Sequence, residues 1–171
     1  DNRILDISTQ SSLKIANADK VLGYVWDMER NRCLISEGQD VVIVDKKACD
    51  ERIGKSIIKQ AIERDAIVLR QNKQPNAPED EKPLFPGYEV ELAIPFIIKD
   101  KFRGAVYLAK RRGLYNQDQI NVLDVLVKNA ATAYDNAIMH SILFREAESL
   151  KTEVEKLKER EDQLMGFHDI L

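Results

Sequence analysis

The sequence predicts an α+β domain: an antiparallel sheet flanked by helices, with a long C-terminal helix extending into a coiled coil. Three observations carry this. Short runs rich in Val, Ile, Tyr and Trp, bounded by turn residues, recur between residues 20 and 110. The last third, residues 116–165, contains neither proline nor glycine. Within that third the apolar spacing changes from a broad face to a narrow stripe, as when a core-facing helix becomes a coiled-coil seam. The chain has 171 residues, enough for one domain plus an extension, and its 44% hydrophobic content can bury a core.

Residues 4–18 hold Ile4, Leu5, Ile7, Leu13, Ile15 and Ala16 without a breaker, so they form a helix whose apolar side those residues supply. Residues 20–28 are a strand, residues 29–32 a turn, and residues 33–36 the return strand. Residues 38–40 break it, and Val41 to Val44 make a further short strand. After Gly54, Ser56 opens a helix through Ile57, Ile58, Ala61 and Ile62 that ends near Arg64, and residues 66–69 follow as a strand. Residues 71–87 hold Pro75, Pro78, Pro83 and Pro86, four of the five prolines. Irregular loops of such length tend to carry function or to lack order. Residues 89–98 and 102–110 form a hairpin across the turn at residues 99–101. Pro95 inside the first arm predicts an edge position or a bulge.

The long helix opens with a capping signature, Asn116 followed three residues later by Gln119, with Asp118 in the first turn. Ile120, Leu123, Leu126, Val127, Ala130, Tyr134 and Ile138 give its first half a face for a globular body. Ala147, Leu150, Val154, Leu157, Glu161 and Leu164 then alternate in steps of three and four, with Glu, Lys and Arg around them. This predicts a sensory domain at 1–141, a coiled-coil linker at 142–166, and the start of a further domain at 167–171. The ends, Asp1 without a methionine and Leu171, are those expected of a piece of a longer protein.

Composition narrows the function. A net charge of −3 offers no global basic surface, so direct nucleic-acid binding by this segment is not expected. No apolar run reaches transmembrane length. Cys33 and Cys49 form no CxxC, and with His140 and His168 distant they give no zinc spacing. Cys33 reads as a small buried strand residue and Cys49, among Lys47, Asp50, Glu51 and Arg52, as an exposed one. A reducing, cytoplasmic compartment is the simple reading of so few cysteines. Phosphate-cradle motifs and nucleophile sets are absent, so no catalytic residue is assigned.

The element order, and residues in four places, resemble the GAF domain. Val21 to Asp27 resemble its first strand, which tends to end in Asp. Gly54, the helix at 56–64 and the strand at 66–69 resemble its middle helix and following strand. Leu92-Ala93-Ile94-Pro95-Phe96, a turn, and Gly104-Ala105-Val106-Tyr107-Leu108 resemble its central hairpin, in which the proline and glycine recur. Residues 115–118 opening a helix through Leu123, Ala130 and Asn136 resemble its final helix. The resemblance, over residues 4–141, implies a regulatory module that binds a small molecule on one face of a sheet, pairs through its terminal helices and acts on an output domain. The Asn-Lys…Phe-Asp-Glu pattern of cyclic-nucleotide members is missing, and no cysteine stands beside a pocket histidine. Cyclic nucleotide and bilin are therefore not supported, and the effector's identity is open. The methionine sulfoxide reductases of the family use a cysteine cluster that Cys33 and Cys49 alone do not supply. Residues 163–171 resemble the approach to the AAA+ ATPase of sigma-54-dependent transcription activators of the NtrC/NifA type. A histidine-kinase output domain or a cyclic-dinucleotide enzyme follows such linkers too.

Under the 71–87 loop the candidate ligand-binding residues are Arg70 at a strand end, Tyr88 and Glu91 at the loop exit, and Tyr24, Trp26 and Tyr107 on strands. Arg70 suits an anionic group. Alternation puts Tyr24 and Trp26 on one side of their strand, where they also suit a plain core role. The candidate dimer seam is Ala147, Leu150, Val154, Leu157 and Leu164. His140 could bias such an interface on protonation, though a solvated histidine explains it as well. The expected partner is a second copy, with an output domain in the same chain.

Overall fold

The computed structural model describes residues 2–38, 40–54, 56–71 and 82–170, without side-chain detail for Asn2 and for residues 167–170. The middle of the expected 71–87 loop, with Pro75 and Pro78, lies outside the described residues. The chain divides into two units, Asp1–Tyr134 and Asp135–Leu171.

In the first unit the elements run α1 (Asn2–Ala16), β1 (Lys20–Asp27), β2 (Arg32–Ser36), β3 (Val41–Val44), α2 (Lys46–Ile53), α3 (Ile57–Arg64), β4 (Val68–Gln71), β5 (Val90–Ile98) and β6 (Phe102–Lys110). The start of α4 (Gln117–Ile170) completes it. The strands form one six-stranded antiparallel sheet in the order β3-β2-β1-β6-β5-β4. Sharp reversals rest on short polar residues that tolerate positive φ: Asn31 (49°) between β1 and β2, and Asp100 (62°) between β5 and β6. Asp27 ends β1 and accepts a hydrogen bond from the Arg30 N–H at 3.1 Å, which fixes the first turn.

Side-chain alternation gives the sheet two faces. On one, Val25, Phe96, Phe102 and Val106 meet α1 and the first part of α4, where the Phe102 and Tyr134 rings stand edge to face at 5.1 Å. Helix α4 buries Ile120, Leu123, Val127, Ala131 and Tyr134 here. Its capping box forms as the sequence indicates: the Gln119 N–H donates to Asn116 Oδ1 at 2.8 Å, and the Asn116 N–H to Gln119 Oε1 at 3.2 Å. Helix α1 differs from expectation. It buries Leu5, Ser8, Thr9, Ser12 and Ala16, while Ile7 is exposed. Small residues let it lie close to the sheet, over Gly23, where an added Cβ would stand 2.6 Å from Thr9 Oγ1.

On the other face Leu22, Tyr24, Cys33, Ile35, Ala93, Ala105, Tyr107 and Ala109 share a core with α2 and α3. Helix α2 is absent from the sequence reading. Asp45 caps it, accepting from the Ala48 N–H at 2.9 Å. Only Cys49 and Ile53 of α2 are buried. Cys49 is therefore not exposed as expected. It is joined to Cys33 of β2 in a disulfide, with the Cα atoms 6.6 Å apart, so the two residues are not separate thiols. An ion pair of Arg52 with Glu37 adds an exposed tether.

Pro95 is the second correction. Strand β5 lies inside the sheet, between β6 and β4. Yet β4 begins at Val68, opposite Ala93, so beside Pro95 that flank of β5 has no strand partner. A missing N–H is tolerated for that local reason.

Two expectations follow. Replacing Gly104 by alanine would put a Cβ 2.0 Å from the Tyr24 carbonyl oxygen and 2.5 Å from the Phe96 ring. Backbone cannot yield as a side chain tip can, so the cost is about 3 kcal/mol, the upper end of overpacking. Scanning calorimetry should show Tm lower by roughly 6–12 °C. The disulfide closes a sequence separation of 16, worth about 3 kcal/mol in the chain-entropy account. Hydrogen exchange with and without a reductant should show protection falling first in Lys46–Ile53, which has few other anchors.

Candidate functional site

The candidate residues collect on the face that carries α2 and α3, but not as one group. Antiparallel register puts Glu91 of β5 beside Ala109 of β6, and β4 sets Arg70 opposite Glu91. Glu91 is fully buried, and its carboxylate is met from several sides. Arg70 donates to Oε1 through Nη2 at 3.1 Å and Nε at 3.3 Å. The Leu84 N–H donates to Oε2 at 3.0 Å, and the Tyr107 hydroxyl donates to the same oxygen. Arg70 also donates to the Lys82 carbonyl at 2.8 Å. Burial first, and then the Glu91 carboxylate, raise the Tyr107 phenol far above its ordinary value, so it stays a donor. A buried carboxylate is tolerable only with such a full set of donors.

These bonds draw the described end of the loop over the sheet. Leu84, Phe85 and Tyr88 pack against the core, with the Phe85 ring 5.9 Å from Tyr107 and 6.3 Å from Tyr88. Lys20 Nζ stands 5.1 Å from the centre of the Phe85 ring, and the Arg111 guanidinium 5.4 Å from that of Tyr88. Thus Arg70, Glu91, Tyr107 and Tyr88 do come together, and the charge proposed for a ligand, Arg70, already faces Glu91.

Tyr24 and Trp26 share the same face of β1, as alternation indicates, but lie nearer the β5–β6 hairpin. Trp26 is half-buried, with Lys46 Nζ 4.9 Å from its ring centre. Tyr24 lines an open cleft of about 300 Å³ between the α2–α3 junction and strands β1 and β6. Burial, and secondarily Asp50, push its phenol up to about 12, with Arg103 opposing. Asp50 and Arg103 were not singled out from sequence. With α2 unrecognised, nothing brought Asp50 next to β1.

Among the described residues no group of His, Cys, Asp and Glu could hold a metal ion. The Cys33 and Cys49 side chains are fully buried. No described helix is long and apolar enough to cross a membrane. In the second unit Leu150, Val154, Leu157 and Leu164 are exposed on α4.

No protein-family model matches the sequence, and no curated protein matches it. Solved structures match its fold. The GAF domain of an Acinetobacter phosphoenolpyruvate-protein phosphotransferase aligns with TM-score 0.59 at 16% identity, over 79% of this chain and 82% of that one. The GAF domain of a two-component sensor histidine kinase from Bacillus halodurans aligns with TM-score 0.56 at 16% identity, over 81% and 96%. A type II free methionine-R-sulfoxide reductase from Thermoplasma acidophilum aligns with TM-score 0.55 at 12% identity, over 77% and 89%. At such identities the likeness speaks for architecture: the chain has a GAF-like α+β fold, a six-stranded antiparallel sheet with helices and a long C-terminal helix.

Proposed function

We propose that the chain is the regulatory, GAF-type sensory module of a signalling protein, paired as a homodimer and acting through α4 on an output domain of the same polypeptide. The observation that carries this reading is the double use of α4. One unbroken helix, Gln117–Ile170, supplies Leu123, Val127 and Tyr134 to the core and also bears the exposed Leu150, Val154, Leu157 and Leu164. Val122, Leu143, Leu150, Leu157 and Leu164 stand at multiples of seven residues, the interval of a left-handed coiled coil. A row of such side chains in water is costly, and a second copy can cover it. Histidine kinases are among the proteins whose GAF domains share the fold. The resemblance of residues 163–171 to the approach to an AAA+ ATPase favours a sigma-54-dependent activator as the parent protein. In that role the segment has no catalytic task and leaves nucleic acid to other domains; the cytoplasmic setting read from so few cysteines stands against the Cys33–Cys49 disulfide, which a reducing compartment would open.

A second reading, a ligand-free dimerisation module, is favoured by the Glu91 network. Its donors are matched within the protein, and Leu84 and Phe85 occupy the face over Tyr107. A thiol reductase comes last, because the Cys33 and Cys49 side chains have no exposed surface.

Analytical ultracentrifugation tests the first reading. The wild-type chain should sediment as a dimer at micromolar concentration, and Leu150→Glu with Leu157→Glu should give a folded monomer. A wild-type monomer, or a dimer that survives both changes, would overturn the pairing. For the filled face, Glu91→Ala removes the carboxylate that the partly buried Arg70, the Leu84 N–H and the Tyr107 hydroxyl all meet, and should cost about 3 kcal/mol. Calorimetry should then show Tm reduced by roughly 6–12 °C with the dimer retained.

A further inference from the structure

The cleft beside Tyr24 has its own chemistry, away from the Glu91 network. Tyr24 pairs with Ala105 and Glu91 with Ala109, a separation of four residues, or about 13 Å, along β6. The cleft volume, about 300 Å³, is at the low end of ligand pockets, which run roughly 300–1,000 Å³. That suits a small metabolite.

Its lining is unusual in what is left open. Tyr24 is only 6% exposed, and its hydroxyl has no hydrogen-bond partner among the described residues. The hydroxyls of Tyr115 and Tyr134 also lack partners but are sealed in the core. That of Tyr24 borders the cleft. Unlike theirs, it is not a sealed, unsatisfied group: it opens to the cleft, where solvent or a ligand supplies its partner. Two opposite charges flank it. Asp50 stands on α2 and Arg103 on β6, both close enough to act electrostatically on the hydroxyl. Neither has an ion-pair partner among the described residues, and Arg103 donates only to the weak acceptor Met28 Sδ at 3.4 Å. Lys59 and Glu63, on the rim, stand 3.9 Å apart as a pair. The remaining floor is apolar, from Ile53 and Ile62.

One negative group, one positive group, a neutral donor on the same cleft wall and an aliphatic floor describe the complement of a small zwitterion. We propose that this cleft binds a free aliphatic α-amino acid. Its carboxylate meets Arg103 and the Tyr24 hydroxyl, its ammonium meets Asp50, and its side chain lies on Ile53 and Ile62. A purely anionic ligand would leave Asp50 facing like charge, and a purely cationic one would do the same to Arg103. The disulfide has a role here as well: Cys49 precedes Asp50, so its bond to Cys33 holds the acid opposite β6. The inference supplies an effector class for the sensory reading, but the binding itself does not depend on an output domain or on pairing.

Isothermal titration calorimetry on the purified chain tests it, with free L-leucine, L-isoleucine and L-valine as probes. Saturable 1:1 binding is expected for at least one of them. N-acetylated and carboxamide derivatives of that amino acid, each lacking one charge, should bind at least tenfold more weakly. Arg103→Gln and Asp50→Asn, both at exposed positions, should each cost at least tenfold while leaving the melting curve in place. Tyr24→Phe should cost about threefold to tenfold, one neutral hydrogen bond. No heat with any probe at millimolar concentration overturns the proposal. So does binding that survives both charge substitutions, or equal affinity for the N-acetyl derivative. Failure in this titration leaves the sedimentation result for the dimer standing, and a monomer that still binds leaves the cleft assignment standing.

Discussion

Three alanines on one face of the central strands constrain everything packed above them. Ala93, Ala105 and Ala109 lie on the same face as the larger Tyr24 and Tyr107, so that face carries hollows between its large side chains. A hollow in a protein interior has to be filled, because packing density there leaves little empty space. Ile57, Ile58 and Ala61 of α3 fill its middle, and Leu84 and Phe85 cover the end near Glu91. The covering segment brings backbone N–H groups down with it, and the buried Glu91 accepts one of them, from Leu84. The carboxylate and the loop are thus mutually required. The acid needs donors to be buried, and the loop needs an acceptor at that depth. Toward the hairpin end no such segment arrives among the described residues, and there the hollow is the open cleft beside Tyr24.

The same logic explains why α2 needs a covalent bond. Few of its side chains are apolar, and only Cys49 and Ile53 reach the core. An eight-residue helix is not stable by itself, and tertiary contacts normally hold it. Here the contacts are one isoleucine, a disulfide to β2, Lys46 over the Trp26 ring and an exposed ion pair whose net value is small. Redox state therefore acts on the wall of the cleft that carries Asp50 more than on the sheet, which keeps its ladder hydrogen bonds either way.

The sheet was legible because its strands obey local rules. Val21 to Asp27 and Phe102 to Lys110 are bounded by turn residues, and the resemblance supplied their order. The capping box at Asn116 and Gln119 was legible for the same reason: both partners lie within one turn. Helix α2 was not legible, since its sequence is nearly all polar and only the fold shows that Cys49 points inward. Nor was the buried face of α1, where the apolar Ile7 is a better local signal than Ser8, Thr9 and Ser12, and Gly23 across the gap decides the matter. Of the candidate site, Arg70, Glu91, Tyr88 and Tyr107 were found as residues, but their pairing with one another was not. It requires a register between β4 and β5 that sequence spacing does not state. Asp50 and Arg103 were missed because they are 53 positions apart and each looks like ordinary surface charge.

Periodicity along α4 separates two demands on one helix. Ile120, Leu123, Val127, Ala131 and Tyr134 serve the sheet. The register defined by Leu150, Leu157 and Leu164 extends backward in sevens through Leu143, Asn136, Asn129 and Val122. It is polar in the middle and apolar toward the C-terminal end. Polar residues at seam positions lower the stability of a coiled coil while fixing its register. Glu161, another seam position, weakens the C-terminal stretch in turn. A helix pair built on this pattern would be held most firmly around Leu150 to Leu157, with weaker stretches before and after. Such a distribution suits transmission better than a uniform seam would. Where pairing is marginal, a differential interaction of 1–3 kcal/mol can shift the arrangement, and a firm central stretch keeps the two copies together while the flanking turns change.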